Sequence, residues 1–301
     1  MEKDRKILLL KAIGYPIFFI VCVAVFFPMA LPMDQIKGLV QKELEGSAGY
    51  RIEAGQTGAG LLGGLTFKDV AISAVGADPK AAKLKVEELR ITLPILGMLT
   101  GRKGVKFAVK GFDGSVSGTI GAKETRQDLD LSVDSINLAR LGMLWESMGV
   151  KFIGRVSGEI DLTYDTKDAK KDDGSVKIAL SDLVLTEGKF MGFDLPKMNF
   201  GKVQARFEIK DGKAEVKEFK GKGKDIEVKG EGTSNLSAKI TATGLNIKLK
   251  FKPSDEFVQK NQKLQPLLFA IQSSKDKEGF YSYQITGPLE RPHFSQAPGG
   301  K

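Results

Sequence analysis

The chain has 301 residues, with 46 Lys and Arg against 37 Asp and Glu and a net charge of +9. Its single cysteine, Cys22, excludes a disulfide framework and a cysteine-based zinc site, and its single histidine, His293, excludes His-rich metal centres and His-dependent nucleophile systems. Aromatic residues are only 8% and the basic residues are interspersed with acidic ones, so nucleic acid is not an expected partner.

Residues 1–6 are a short basic start, expected in the cytoplasm. Residues 7–33 then hold the longest apolar run of the chain, and between Lys11 and Asp34 there is no charge at all (AIGYPIFFIVCVAVFFPMALPM). About 20 residues at roughly 1.5 Å each span the roughly 30 Å core of a bilayer. Lys3, Arg5, Lys6 and Lys11 precede this run, whereas Asp34 and a lone Lys37 follow it. The positive-inside bias therefore predicts a single-pass anchor with its N-terminus cytoplasmic and the body exported. The competing reading is a cleaved signal peptide, which would need a shorter apolar core and a small-residue end that FFPMALPMD lacks. Pro16 is a kink position in such an anchor.

Residues 34–49 read as an amphipathic entry helix, with Ile36, Leu39, Val40 and Leu44 at helical spacing, Asp34 as cap, and Gly46 or Gly49 as its end. Two readings stay open: a helix packed on the first strands, and a helix lying on the membrane surface.

From Arg51 the dominant period is two. Val105, Phe107 and Val109 alternate with Lys106, Ala108 and Lys110, and Leu129, Leu131 and Val133 alternate with Asp128, Asp130, Ser132 and Asp134. Val156, Ile160, Leu162 and Tyr164 share one face, as do Val203, Ala205, Phe207 and Ile209, and then Leu245, Ile247, Leu249 and Phe251. This is the pattern of antiparallel strands with one apolar and one wet face. Turn signals occur at Asp113-Gly114, Asp173-Gly174 and Asp211-Gly212, the last being the strongest hairpin signal. Helices are expected over 138–148, and over 255–272 with a break at Pro266; a short turn follows Pro94 over 95–99. A faint echo links LTFKDVAIS (65–73) with IALSDLVLTEG (178–188), each placing an Asp between two apolar alternations. The predicted fold is mainly β: an N-terminal transmembrane helix, then an extended or curled antiparallel β-sheet body with a few short helices. That exported body spans 50–287, as one unit or as two similar halves meeting near 138–150, and 288–301 is a loose C-terminal tail.

Chemistry is sparse. The carboxylate pairs Asp128/Asp130 and Glu159/Asp161 have acid–base residue types but sit on wet strand faces, and the Gly60 to Gly63 spacing is read as a turn or a close backbone approach. Lys220, Lys222 and Lys224 form the densest basic cluster, read either as a solvated face or as an attractor for an anionic surface. No catalytic residue, metal ligand or cofactor is assigned, and the chain is read as no enzyme.

Four stretches carry a resemblance: GYPIFFIVCVAVFFP, DQIKGLVQKELEGSAGYRIE with GLTFKDVAIS, the glycine-spaced RVSGEIDLTY, and the closing YSYQITGPLERPHF. Over about residues 7–294 the chain resembles the type II secretion system protein N family in its delta-proteobacterial form. The anchor, entry helix and ending are also similar to AsmA-like envelope proteins. The first resemblance implies a non-enzymatic subunit in the inner membrane with a periplasmic body, partnered by other secretion-system subunits and assisting assembly or export of folded proteins. The second implies a lipid-handling or outer-membrane-maintenance protein whose apolar β-groove holds lipid.

Overall fold

The computed structural model describes residues 50–60, 64–74, 84–92, 103–142, 145, 149–190, 193–237 and 242–297. The expected anchor (7–33), the entry helix (34–49) and the turn over 95–99 lie outside them. Among the described residues no helix is long and apolar enough to cross a membrane.

The body is mainly β, as the alternation predicts. The chain divides into two compact units, Met1–Lys110 and Gly111–Lys301. The first carries β1 (Tyr50–Gly60), β2 (Gly64–Ala74), β3 (Leu84–Thr92) and β4 (Lys103–Gly111), paired antiparallel in chain order. Leu65, Phe67, Val70 and Val86 are buried there.

The second unit starts with β5 (Gly114–Lys123), β6 (Arg126–Asn137), β7 (Val150–Asp165) and β8 (Asp173–Phe190). It continues with β9 (Phe193–Asp194), β10 (Met198–Lys210), β11 (Lys213–Lys222) and β12 (Ile226–Asn235). β13 (Gly244–Pro253), β14 (Tyr281–Pro288) and β15 (His293–Gln296) complete it. Each strand pairs antiparallel with the next, except that the two-residue β9 folds back on the end of β8 and leaves β10 as the neighbour of β8 in the sheet. Such a meander needs only short connections. The segment 138–150 is one of these, set inside the second unit between β6 and β7, whose ladder runs to Asn137↔Arg155 with a register shift between Val133 and Ile136. The boundary between the two compact units falls at Lys110/Gly111.

The Asp211-Gly212 hairpin is present, joining Lys210 to its partner Lys213 with left-handed φ of 51° and 72° at its two central residues. Gly is required at 212 because a Cβ there would sit 2.2 Å from the Ala169 carbonyl oxygen. Asp113 also turns, as Phe112-Asp113, with φ of 57° and 58°. Asp173-Gly174 is not a turn: it opens β8, and the chain reverses earlier, over the 3-10 turn Ala169–Lys171. That loop reverses through side-chain capping, with the Asp168 carboxylate accepting the Lys170 N–H and the buried Asp172 accepting the Asp165 N–H.

The helices are short. The 138–148 segment shows a 3-10 turn, Leu138–Arg140, capped by Asn137, whose side chain accepts the Ala139 N–H; residues 143, 144 and 146–148 lie outside the description. Downstream, α1 (Asp255–Lys260) is capped by Ser254 Oγ on the Phe257 N–H, and α2 (Gln265–Ala270) carries Pro266 in its first turn. The break between them falls at Asn261–Leu264 rather than at Pro266, because Asn261 N–H and Nδ2–H close the end of α1 on the Phe257 carbonyl. The tail is not wholly loose either: β15 pairs with Tyr283–Thr286 of β14.

The apolar alternation slips by one residue at several mid-strand positions, where an odd spacing separates apolar side chains (Val133 to Ile136, Leu180 to Leu183, Phe200 to Val203). At each slip a residue adopts left-handed φ: Ser135 (53°), Asp182 (52°) and Gly201 (63°). Register shifts mark the same places, between Val133 and Ile136, between Ile153 and Arg155, and on both sides of Gly201. The pairings Ile136↔Val156, Arg155↔Ser181 and Leu183↔Gly201 line these bulges up across β6, β7, β8 and β10. Asp69 in β2 has the same conformation (52°), so the echo between 65–73 and 178–188 is a shared left-handed Asp within a strand. Asp182→Val should lower stability by about 1–2 kcal/mol, because a β-branched residue is strained there, while Asp182→Gly should be near neutral. Thermal unfolding of the two variants in detergent checks this; equal losses would show that strain at 182 is not the cause.

Candidate functional site

The site candidate is the apolar face of the second unit. Residues paired across antiparallel strands point to the same side, so the register lists the face directly. Val116, Val133, Gly158 and Ile178 follow one another across β5 to β8, and the next row is Gly118, Leu131, Ile160 and Val176. The second row passes on to Phe207 of β10 and Val216 of β11. Leu245, Ile247, Leu249 and Phe251 meet Gly287, Ile285, Tyr283 and Tyr281 at the other side of the sheet.

The face is closed at one end and open at the other. Beyond the bulges, Leu138, Leu183, Leu185, Met198, Ile226 and Val228 form a core with Phe257, Leu264 and Leu267 from the helical segment. Trp145 packs edge-on to Phe152 at 5.5 Å and its Nε1–H donates to the Leu138 carbonyl at 2.6 Å. Ile271, Tyr281 and Tyr283 make a second core, where Phe251 stacks on both tyrosines. Burial there pushes the Tyr283 phenol up from its ordinary value. Over β5 to β8, by contrast, Leu129, Leu131, Ile160, Leu162, Val176 and Ile178 are half-buried, and Ile120 is 40% exposed. These aliphatic side chains keep part of their surface in water on one side of the sheet.

The opposite face is charged. The candidate carboxylates Asp128, Asp130, Glu159 and Asp161 all lie on it and are exposed. Asp130 and Asp161 are direct cross-strand partners, Asp128 accepts from Thr163 Oγ1 at 2.8 Å, and Glu159 pairs with Lys177 at 3.0 Å. Among the described residues no group of three or more potential ligands is placed to hold a metal. Lys220 pairs with Glu218, and Lys224 lies in the β11–β12 turn beside a cavity of about 370 Å³. His293 is exposed on β15. A larger cavity of about 650 Å³ is lined by Glu208, Glu215 and Lys217, with Lys217 shared between the two carboxylates, held to Glu208 at 3.2 Å and to Glu215 at 2.8 Å. The sequence pattern identified the apolar face; it did not indicate which end is closed, because that depends on where the bulges and α1 fall.

Two carboxylates with lowered pKa values serve turns. The Asp165 carboxyl is kept below its ordinary value by the Lys167 N–H, then by the Thr125 hydroxyl and the Asp168 N–H. Hydrogen bonds from Asn137 and Arg140 do the same for Asp113. Compared with known proteins, the chain matches no family model, no curated protein and no solved structure. The fold and face therefore define it at the level of class: a mainly β protein with a one-sided antiparallel sheet.

Because the Asp165 pKa is lowered in the folded state, its stabilisation is complete above the ordinary value of 3.8 and disappears as pH falls through the lowered one. Asp165→Asn should therefore be less stable than the parent near neutral pH, with the gap narrowing as pH falls below 3.8. Thermal midpoints across that range check it, and a gap constant with pH would show that the charge contributes nothing.

Proposed function

We propose that this chain is a non-enzymatic subunit of a type II protein secretion system, held in the inner membrane by residues 7–33 with its body in the periplasm. Its role is to assist assembly of the apparatus or export of folded proteins across the outer membrane. The observation that carries this reading is the sheet face. A continuous antiparallel meander with half-buried aliphatic side chains over β5 to β8 is suited to association, and its wet face keeps the body soluble beside the membrane. The sequence resemblance over 7–294 supplies the apparatus. A deletion strain should accumulate normally secreted proteins in its periplasm while the outer membrane stays intact. Normal secretion in that strain would overturn the proposal.

A second reading, AsmA-like lipid handling, is favoured by the rows Gly118–Leu131–Ile160–Val176 and Val116–Val133–Gly158–Ile178, which offer acyl chains a smooth aliphatic track. Leu131 and Ile160 are direct cross-strand partners, so a Leu131→Glu, Ile160→Glu double variant puts two charges in the middle of the track. On this reading the full chain, extracted in mild detergent, carries phospholipid that the double variant loses. Equal phospholipid-to-protein ratios in the two would exclude the face as a lipid site.

A further inference from the structure

We propose that the cavity between α1, the start of β10 and the β11–β12 turn binds a phosphate-bearing anion through Lys197 and Lys224. The cavity is about 370 Å³, within the range of small-ligand sites. Its three ammonium groups come from Lys197, Lys224 and Lys260, and its two carboxylates from Asp225 and Glu256, leaving one net positive charge.

Both carboxylates are already engaged. Glu256 pairs with Lys260 one helical turn away, and Asp225 Oδ2 accepts the Asn199 N–H at 2.8 Å. Lys197 and Lys224 form no ion pair among the described residues, and Lys224 acts on Glu256 only through space. Two ammonium groups without ion-pair partners in the lining of one cavity suit the oxygens of a phosphate, which takes Lys as a point-charge partner. Val184 and the buried Phe257 (4% exposed) also line the cavity and provide an apolar wall for the carbon next to the phosphate.

The walls are fixed before any ligand arrives. The Asp225 N–H donates to the Asn199 carbonyl at 3.2 Å, and the Asp225 carbonyl accepts the Ser254 N–H at 2.8 Å. One residue thus joins β10, the β11–β12 turn and the cap of α1. Gly223 lets the turn approach β10, since a Cβ there would lie 2.2 Å from the Asn199 carbonyl oxygen. Pre-ordered walls reduce the entropy lost on binding. The inference does not depend on the secretion reading.

Two sources share this chemistry: a phospholipid headgroup and free phosphate. The test is calorimetric titration of the full chain in uncharged detergent with inorganic phosphate and, separately, with dihexanoyl phosphatidic acid. The variants are Lys197→Gln with Lys224→Gln, and a control, Lys210→Gln with Lys213→Gln, that removes the same charge beside the larger cavity. Saturable binding should weaken about tenfold or more in the first pair and be unchanged in the control. Tighter binding of phosphatidic acid than of phosphate assigns a lipid headgroup, and equal binding assigns free phosphate. No saturable binding of either probe, or equal weakening in the two variant pairs, overturns the proposal. Thermal midpoints of both pairs, compared with the parent, confirm that the proteins are folded. A deletion strain with normal secretion would leave this result standing, and loss of phosphate binding would leave the secretion reading standing.

Discussion

The second unit depends on keeping one face of its sheet apolar across many strands. A strand turns successive side chains to opposite sides, so a slip of one residue in the pattern would send every later aliphatic side chain into water. The sequence contains such slips at Val133–Ile136, Leu180–Leu183 and Phe200–Val203. Each is absorbed by a left-handed residue, Ser135, Asp182 or Gly201, which adds the extra residue and returns the chain to the same side. The slips in β6, β8 and β10 line up with one another through the register shift between Ile153 and Arg155 of β7, so the correction made in one strand matches that in its neighbour.

The bulges also separate the two ends of the face. On one side of them, Leu138, Leu183, Leu185 and Met198 join Phe257, Leu264 and Leu267 in a closed core. α1 is too short to be stable alone, so its order comes from its Ser254 cap and from burial of Phe257. On the other side the aliphatic rows of β5 to β8 keep part of their surface in water. A closed end supplies the stability that lets the other end remain available for association.

Much of this was legible in the sequence because period-two alternation is a direct record of the sheet face. The alternations at 105–110, 129–133, 203–209 and 245–251 all correspond to strands, and Asp211-Gly212 is a two-residue hairpin. The misread points share a cause, namely local chemistry outweighed by neighbours. Asp173-Gly174 has the residues of a turn, yet the reversal is completed earlier by Asp165, Asp168 and Asp172 acting as side-chain acceptors. Pro266 looks like a helix breaker but sits in the first turn of α2, where its missing N–H costs nothing. The tail holds β15 because β14 offers a free edge, a fact about pairing that residues 288–301 do not record. Lys224 was visible as one of three clustered lysines, but Lys197 and Lys260 come from distant stretches, and only the fold brings them to one cavity.

The two surfaces of interest differ in what gives them specificity. The aliphatic rows discriminate poorly, since apolar contact is non-directional and roughly proportional to area. The lysine cavity is small, pre-formed and charge-selective, so it chooses among ligands while contributing little area. Under the proposed anchoring, residues 7–33 hold the body next to the bilayer, and the tether raises the local concentration of any membrane-bound partner. Weak apolar contact is then sufficient for association, and selectivity is left to the few groups whose positions Asp225 and Ser254 hold in place.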